Sequence, residues 1–423
     1  ANADPKDKQA GKSLKKLRSE IAELREEIKS LEKKREAVET SPALRELAQV
    51  HPNIVAESRQ EIAKLHAGDE QNQRLWTEFM PACRAALDRV YDRLGVTFEE
   101  TLGESFYQPM LADVVADLKQ KNLAVESAGA VCVFIEGNEA PFIVQKSDGA
   151  FTYATTDLAT IRYRAEEFGA DAILYVVDAR QSEHFQLLFA AARKWGHDGI
   201  EYRHVSFGTV LGPDGKPYRT RAGDTVGLES LLDEAVARAA RVVAEVDEKK
   251  KDGPELGERE RAAIAEIVGM GAVKYADLHH NRESDYKFDW DKMLALTGDT
   301  AAYVQYSVAR IHGIFRKGAI DRESLPESGA AIRFTEPEER ALALQLLRFP
   351  EALDAAIAEY RPNLLTQYLF ETANVFTAFY EKCSVLNADD EATRDSRLLL
   401  CDLYGRVLTQ GLELLGIGAP QRM

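Results

Sequence analysis

The feature that most constrains this chain is an alternation of helical and strand-like segments between residues 151 and 228. FTYATTDLATIRYR (151–164) enters a helix, and the apolar run ILYVVD (173–178) follows as a strand. The amphipathic segment ARQSEHFQLLFAAARKWG (179–196) then leads into a second strand, YRHVSFGTVL (202–211). This alternation predicts an α/β sheet, and sheets of this class bind ligands beyond the carboxyl ends of their strands.

Polar side chains stand where the two helical segments begin. Tyr153 and Asp157 are four residues apart, so a helix places them on one face. Thr155 and Thr156 are candidate N-cap residues, and Gln181 stands at the start of the next helix. A carboxylate beside a phenol can receive a cationic group, because a guanidinium can be bound bidentately and stacked. The pattern predicts a small polar pocket.

A glycine-rich loop, GPDGKPYRTRAGDTVGL (212–228), follows the second strand and carries Lys216, Arg219 and Arg221. Mobile cationic side chains suit a polyphosphate, because they stabilise the charge that develops when a phosphoryl bond breaks. The loop is not a Walker A loop, since it lacks the pattern G-x-x-x-x-G-K-[ST]. We therefore expect it to bind phosphates in another way.

Composition excludes several classes of protein. The length of 423 residues allows roughly two to four domains. The net charge of -16 gives no global attraction to nucleic acid, although a local basic surface can still bind RNA. No apolar stretch approaches the roughly 18 residues of a membrane span, and no segment has the pattern of a signal peptide. We expect a cytoplasmic protein with no membrane partner.

The cysteines give no sign of a metal site. The sequence contains Cys83, Cys132, Cys383 and Cys401, which lie far apart and form no Cys-x-x-Cys pair. This spacing predicts neither a structural zinc ion nor a disulfide framework, and it fits a reducing compartment.

The N-terminal region has a coiled-coil pattern. Apolar residues alternate three and four apart along less than three heptads: Leu14, Leu17, Ile21, Leu24, Ile28 and Leu31. An isolated helix of that length is marginal unless it pairs. The pattern favours one arm of an antiparallel hairpin packed on its own chain, and oligomer formation through a dimerisation zipper is the less favoured alternative. A second apolar stripe, which includes Trp76, Phe79 and Leu87, is predicted to be core.

Three further segments complete the prediction. AVCVFIE (130–136) and FIVQK (142–146) are predicted to form a hairpin. DEKKKDGPELGERE (247–260) is predicted to be a solvated linker. From Thr300 onward the pattern is helical almost to the end, which predicts a separate all-α domain. We expect most of its clustered aromatic residues to be core rather than base-stacking surfaces: Tyr360, Tyr368, Phe370, Phe376, Phe379 and Tyr380.

The order and spacing of these segments resemble the arginyl-tRNA synthetase family. The resemblance covers residues 67–423 and is carried by LGESFYQPML (102–111), FTYATTDLATIRYR, YVVDARQSEHFQ (175–186), SFGTVLGPDGKPYRTRAGDTVGLESLLDEA (206–235), DYKFDWDKML (285–294) and GDTAAYVQYSVARIHGIFRK (298–317). It implies a class I synthetase with an α/β Rossmann-type catalytic domain followed by an all-α anticodon-binding domain. Such an enzyme activates arginine with ATP and Mg²⁺ and transfers it to tRNA-Arg.

The resemblance also implies roles for particular residues. Glu104, Tyr153, Asp157 and Gln181 match positions that bind arginine, and His184 falls near the adenosine of ATP. Taken alone, Glu104 would read as a solvated acid in the first turn of a helix.

The glycine-rich loop matches the KMSKS loop of class I synthetases. Lys216, Arg219 and Arg221 are the candidates for the catalytic cations, and Gly212 and Gly215, with Lys216, are the candidates to hold ATP. No structural metal is expected.

The departures from the family are also informative. HPNI (51–54) is not a HIGH-type motif, which class I synthetases use to hold ATP, and the first 66 residues do not resemble the family core. We therefore expect an incomplete synthetase that binds tRNA-Arg but forms no arginyl-adenylate by itself. The expected parts are a helical insertion (1–66), the second part of the catalytic domain (67–230), a helical linker region (231–298) and the anticodon-binding domain (299–423).

Two other functions stay open at this point. One is a non-catalytic, synthetase-derived protein that holds tRNA through residues 300–423. The other is a scaffold that uses the coiled-coil segment to assemble partners.

Overall fold

The computed structural model describes residues 21, 24–25, 28–66, 68–212, 215, 227–250, 253–322, 325 and 331–423. The chain divides into two compact units, Ala1–Arg89 and Val90–Met423. Within the described ranges, no helix is both long enough and apolar enough to cross a membrane.

The described part of the first unit is mainly helical, and its helices bury very little. Residues 28–40 are helical, and α1 (Pro42–Val50), α2 (Ile54–His66) and α3 (Glu70–Leu94) follow, the last of which continues past the division between the units. Ser41 caps α1 by accepting a hydrogen bond from the Leu44 amide. Neither α1 nor α3 has a buried residue.

Two predictions for this unit are therefore wrong. The seam residues Ile21, Leu24, Ile28 and Leu31 are each about half exposed, so this part of the seam is not covered as one arm of a hairpin. The other predicted seam residues, Leu14 and Leu17, lie outside the described residues. The second apolar stripe is exposed as well, with Phe79 60% and Leu87 56% accessible. Periodicity identifies an apolar face, but it does not supply the surface that would cover the face.

The second unit begins with a small antiparallel sheet. Its elements are α4 (Glu104–Tyr107), the 3-10 turn Gln108–Met110, α5 (Leu111–Gln120), β1 (Ala124–Ser127), β2 (Ala130–Val133) and β3 (Phe142–Gln145). The predicted hairpin of β2 and β3 is confirmed. β1 was missed, although Ala128 and Gly129 between β1 and β2 both have positive φ angles, as a tight hairpin turn requires.

A parallel strand pair follows, as the alternation predicted. Its elements are α6 (Tyr153–Glu166), β4 (Ala172–Asp178), the 3-10 turn Ala179–Gln181, α7 (Ser182–Trp195) and β5 (Glu201–Phe207). β4 and β5 pair in parallel from Ala172 opposite Glu201 to Asp178 opposite Phe207. α7 connects the two strands, and Gly196 ends it in the left-handed conformation.

A second short parallel pair leads toward the glycine-rich loop. β6 (Val210–Leu211) pairs with β7 (Tyr286–Lys287), and between them along the chain lie α8 (Leu228–Glu248) and α9 (Glu258–Leu278). The Gly208 amide donates to Arg282 O at 2.7 Å. A side chain at Gly208 would approach the Ser284 carbonyl to 2.7 Å, so the close backbone crossing requires glycine.

The segment predicted to be a solvated linker is held by a buried carboxylate. The side chain of Asp247 is fully buried and accepts hydrogen bonds from the amides of Glu255 and Leu256 and from Arg261. Burial alone would raise the pKa of this carboxyl, but these donors hold it well below its usual range. The solvated-linker prediction is therefore wrong for Asp247, because the carboxylate joins the end of α8 to the start of α9.

The described residues that follow β7 in the second unit are mainly helical, as predicted. It contains α10 (Trp290–Met293), α11 (Ala301–Gly318), α12 (Pro337–Leu347), α13 (Phe349–Glu359), α14 (Pro362–Lys382) and α15 (Glu391–Leu414). Tyr368, Phe376 and Phe379 lie in the core, and the rings of Phe376 and Tyr404 stack with centroids 4.0 Å apart. The core prediction is confirmed for these aromatic residues, whereas Tyr380 is exposed.

One buried ion pair joins two of these helices. Arg397 Nε on α15 donates to Glu339 Oε1 on α12 at 2.7 Å, and Glu339 Oε2 accepts the amides of Thr335 and Glu336. Burial raises the pKa of Glu339, but the hydrogen bonds from Arg397 and the two amides outweigh it, so the pKa lies below its usual value of 4.5.

We expect Arg397→Met to lower the free energy of unfolding by about 3–5 kcal/mol, because Glu339 would stay buried without its charged partner. Denaturant unfolding followed by circular dichroism measures the change. The double variant Arg397→Met with Glu339→Gln should recover part of the loss, because it no longer buries an unpaired charge. A loss below about 1 kcal/mol in the single variant would contradict the role of this pair.

The same pair gives a pH dependence. Because the folded pKa of Glu339 is lowered, its stabilisation is complete above pH 4.5 and is lost as the pH falls through the folded pKa. Arg397→Met should therefore lose less stability than the unaltered chain over that acidic range, which unfolding measured as a function of pH will test.

Candidate functional site

Two threonine hydroxyls fasten the start of α6 to β3. Thr152 Oγ1 donates to Ile143 O at 2.6 Å, and the buried Thr155 Oγ1 donates to Val144 O. The helix begins at Tyr153, and Thr152 stands at its cap position without making a side-chain cap bond. The prediction of N-caps at Thr155 and Thr156 is wrong, because both residues lie inside the helix.

This attachment sets the position of the predicted pocket residues. Tyr153 and Asp157 lie one turn apart on α6, as their spacing predicted. The Tyr153 side chain is 73% exposed, whereas the Asp157 side chain is 28% exposed. The phenol therefore projects toward solvent, and the carboxylate lies deeper, at the contact with the next helix.

The carboxylate of Asp157 contacts a histidine on α7. His184 Nε2 lies 2.7 Å from Asp157 Oδ2, and both side chains are about 30% exposed. The His184 ring packs between two phenylalanines, with its centroid 5.8 Å from Phe142 and 5.1 Å from Phe185. Gln181 directly precedes α7 and is exposed, and among the described residues no hydrogen bond joins it to Asp157, so its role in binding arginine stays a prediction.

A partly buried tyrosine, Tyr175, lies next to this pair. The Tyr175 ring on β4 has its centroid 4.7 Å from Phe185, and the guanidinium of Arg164 lies 5.5 Å from the centroid of the Tyr175 ring. The Tyr175 hydroxyl is buried and has no hydrogen-bond partner among the described residues. Burial, with a smaller contribution from the charge of Asp157, raises the pKa of Tyr175, so the hydroxyl keeps its proton.

The carboxyl end of β4 is fixed by an ion pair that the sequence reasoning missed. Asp178 accepts from the Arg180 amide and from Nε and Nη2 of the same arginine, each at 2.8 Å. Arg180 lowers the pKa of Asp178 to about 2. These bonds shape the 3-10 turn that ends at Gln181. The signal in the sequence for this ion pair is an aspartate at a strand end that an arginine follows two residues later.

Glu104 lies on a different helix, α4. It is the exposed first residue of α4, and this helix packs on α6 through ring contacts of Phe106 and Tyr107 with Tyr163. Within the described part of the chain, no hydrogen bond joins Glu104 to Asp157. Its role in binding arginine stays a prediction.

Only the start of the glycine-rich loop belongs to the described residues. Gly212 directly follows β6 and is buried, and the Gly215 amide donates to Gly212 O at 2.9 Å. Gly215 has a φ of +75°, which favours glycine. The predicted cations Lys216, Arg219 and Arg221 lie outside the described residues. Their roles, like those of Gly212 and Gly215 in holding ATP, stay predictions.

A separate cavity of about 340 Å³ lies between α9, β7, α10 and the start of α11. Three neighbouring aromatic rings line it. The ring centroids of His279 and His280 are 3.8 Å apart, and those of His280 and Tyr286 are 4.6 Å apart in a stacked arrangement. None of the predicted arginine- or ATP-binding residues is among the residues that line it. The described ranges contain no cluster of three or more His, Cys, Asp or Glu side chains arranged to hold a metal ion.

Two family models match the chain in tandem. Residues 7–290 match the model described as tRNA synthetases class I (R), catalytic domain, and residues 304–423 match the DALR anticodon binding domain. The α/β region and the helical region of the fold thus correspond to a class I aminoacyl-tRNA synthetase. The predicted combination of α/β and all-α domains is confirmed, and the catalytic match includes residues 7–66, which the sequence analysis had left outside the resemblance.

The chain belongs to the arginyl-tRNA synthetase family. It is 51% identical to an arginine–tRNA ligase of Rhodopirellula baltica over 100% of this chain and 64% of that relative. It is 45% identical to that of Edwardsiella ictaluri over 86% of this chain and 63% of the relative. The chain therefore spans less than two thirds of the length of these curated relatives.

Solved structures agree with this assignment. Arginyl-tRNA synthetase from Plasmodium falciparum matches with a TM-score of 0.76 and 31% identity, over 90% of this chain and 64% of that one. The Thermus thermophilus enzyme matches with a TM-score of 0.72 and 26% identity, over 92% of this chain and 68% of that one.

The attachment of α6 gives a testable consequence. Thr155→Val should lower the free energy of unfolding by about 1–3 kcal/mol, because the Val144 carbonyl would stay buried without its donor. Thr156→Val is a matched control, since it makes the same change on the next residue of the same helix. Denaturant unfolding of both variants measures the difference, and equal stability of the two would contradict the role of the Thr155 hydroxyl.

Proposed function

We propose that this chain carries the arginine-binding part and the RNA-binding part of an arginine–tRNA ligase. Membership of the arginyl-tRNA synthetase family supports this function. The observation that carries the proposal is the carboxylate of Asp157, partly buried on α6 with Tyr153 one turn before it. The substrates would be arginine, ATP with Mg²⁺, and tRNA-Arg.

The pocket suits a guanidinium for electrostatic reasons. A carboxylate in a partly desolvated position binds a cation more strongly than an exposed carboxylate, because solvent screens the charges less. The planar guanidinium can donate two parallel hydrogen bonds to the carboxylate, and the Tyr153 ring offers a surface for stacking. In this proposal Gln181 adds a polar group from the start of α7, and Glu104 adds a second carboxylate.

The reaction would proceed in two steps. The arginine carboxylate attacks the α-phosphorus of ATP, forming arginyl-adenylate as pyrophosphate leaves. A hydroxyl of the terminal adenosine of tRNA-Arg then attacks the arginyl carbonyl, and AMP leaves. The loop cations Lys216, Arg219 and Arg221 would stabilise the charge on the phosphates in the first step.

The helical region would supply the contacts with tRNA. Residues 304–423 match a family of anticodon-binding domains, which supports this partner. Because the chain has a net charge of -16, RNA binding must depend on local cationic groups and should weaken as salt rises. A cytoplasmic location and the absence of a resident metal stay predictions.

Asp157→Asn should weaken arginine binding by about 2 kcal/mol, or roughly 30-fold, because a charge-assisted contact with guanidinium is lost. Isothermal titration of arginine and of ATP into the chain measures both affinities, and ATP affinity should not change. Asp171→Asn is a matched control, because Asp171 is an exposed aspartate directly before β4. Equal arginine affinity in Asp157→Asn and the unaltered chain would contradict the assignment.

Lys216→Ala combined with Arg221→Ala should weaken ATP binding about tenfold, because each cation would contribute a charge-assisted bond to phosphate. Arginine affinity should stay the same. The control is Lys287→Ala combined with Lys292→Ala, which removes two exposed cations that line the separate cavity. If the loop variant binds ATP as tightly as this control, the loop does not hold the phosphates.

A further inference from the structure

The carboxylate proposed to bind arginine is already engaged by a neighbour. We propose that His184 is a positioning residue, which donates from Nε2 to Asp157 Oδ2 and holds the carboxylate in one orientation for the guanidinium. This inference rests on the proposed function. It also gives His184 a role different from the adenosine contact that the resemblance implies.

Orientation matters because an aspartate carboxylate is not rigid. Rotation about its terminal torsion is broad and roughly two-fold, so packing of the helix alone does not fix the plane of the two oxygens. A bidentate contact requires that plane to be aligned with the guanidinium. A hydrogen bond of 2.7 Å to one oxygen supplies the missing restraint.

The hydrogen bond from His184 leaves most acceptor sites of the Asp157 carboxylate available for a ligand. An ionised carboxylate offers about four lone-pair sites on its two oxygens, and His184 occupies one of them. Both lone pairs of Oδ1 and one lone pair of Oδ2 therefore remain for a ligand. Such a ligand would lie on the face of α6 that also carries Tyr153.

The imidazole is itself held firmly. Its ring packs against Phe142 from β3 and Phe185 from α7, and the buried Phe185 in turn contacts the rings of Tyr175 and His204. The imidazole thus has direct ring contacts from one strand and one helix, and rings on β4 and β5 hold Phe185 in turn, so a turn of the imidazole would disturb these aromatic contacts. A positioning residue needs this rigidity, because a mobile donor would follow the carboxylate rather than hold it.

The contact also defines the tautomer. An ionised carboxylate only accepts hydrogen bonds, so the proton must lie on Nε2 of His184. In the neutral imidazole this leaves Nδ1 without a proton. The opposite tautomer, with its proton on Nδ1, would place the unprotonated Nε2 against Asp157 Oδ2, and two acceptors cannot form a hydrogen bond.

The proposed role has a consequence for selectivity. A lysine ammonium is a compact charge that tolerates rotation of its carboxylate partner, whereas the planar guanidinium does not. Removing the donor from His184 should therefore weaken arginine binding more than lysine binding. A loss of fold or of negative charge would weaken both amino acids together.

Three variants distinguish the effect of the hydrogen-bond donor of His184 from the effect of its aromatic ring. His184→Phe keeps an aromatic ring against Phe142 and Phe185 but removes the donor, and His184→Gln restores an amide donor of similar reach. His197→Phe is the control, because it replaces another partly buried histidine, at the end of α7. Titration of arginine, lysine and ATP into each variant gives the affinities, and thermal unfolding checks the fold.

We expect His184→Phe to bind arginine about tenfold more weakly, with a smaller change for lysine and none for ATP. His184→Gln should recover most of the arginine affinity, and His197→Phe should resemble the unaltered chain. The proposal is overturned if His184→Phe binds arginine normally while Asp157→Asn does not, or if arginine and lysine affinities fall equally and glutamine rescues neither. Failure of the unaltered chain to bind arginine would overturn the proposed pocket and this inference together.

A spectroscopic measurement tests the contact without any ligand. In the chain labelled with ¹⁵N-histidine, the His184 signals, assigned by their loss in His184→Gln, should report a proton on Nε2. Asp157→Asn should shift these signals and leave those of His197 in place. A His184 protonated only on Nδ1, or signals that do not respond to Asp157→Asn, would overturn the inference.

Discussion

The position of one carboxylate depends on the way α6 is fixed to the strands beside it. Hydroxyls of Thr152 and Thr155 attach the start of α6 to β3, and His184 joins Asp157 on α6 to the start of α7. All three contacts join α6 to a neighbouring element of the α/β region. The proposed pocket would therefore depend on the α/β packing rather than on a flexible surface loop.

A second set of contacts connects the sheet to the helical region. Arg282 donates from Nη1 to Ser206 O near the end of β5 at 2.5 Å, and from Nε to Tyr360 O after α13 at 2.9 Å. The same segment holds the chain ahead of the glycine-rich loop, since Asp285 Oδ1 accepts the Thr209 amide at 2.7 Å. The strand that leads into the proposed phosphate-binding loop is thus anchored on the segment that leads into the helical region.

Much of this arrangement could be predicted from sequence, because it follows from local patterns. Alternation gave the parallel pair, and a spacing of four residues placed Tyr153 and Asp157 on one face. Long-range partners could not be predicted in this way. Nothing in the pattern around Asp247 distinguishes a buried carboxylate that accepts from two amides and Arg261 from a solvated acid, and nothing near Phe79 indicates whether its face is covered. The partner of Asp157 was also missed, because His184 is 27 residues away along the chain.

In the proposed site, the Asp157 carboxylate, held by His184, receives the guanidinium of arginine. The most direct test is a crystal structure of the chain grown with arginine. We expect two guanidinium nitrogens within hydrogen-bonding distance of the Asp157 carboxylate, with His184 Nε2 still bonded to Oδ2. An arginine bound with its guanidinium away from Asp157, or a carboxylate that has left His184 to reach the ligand, would contradict the claim.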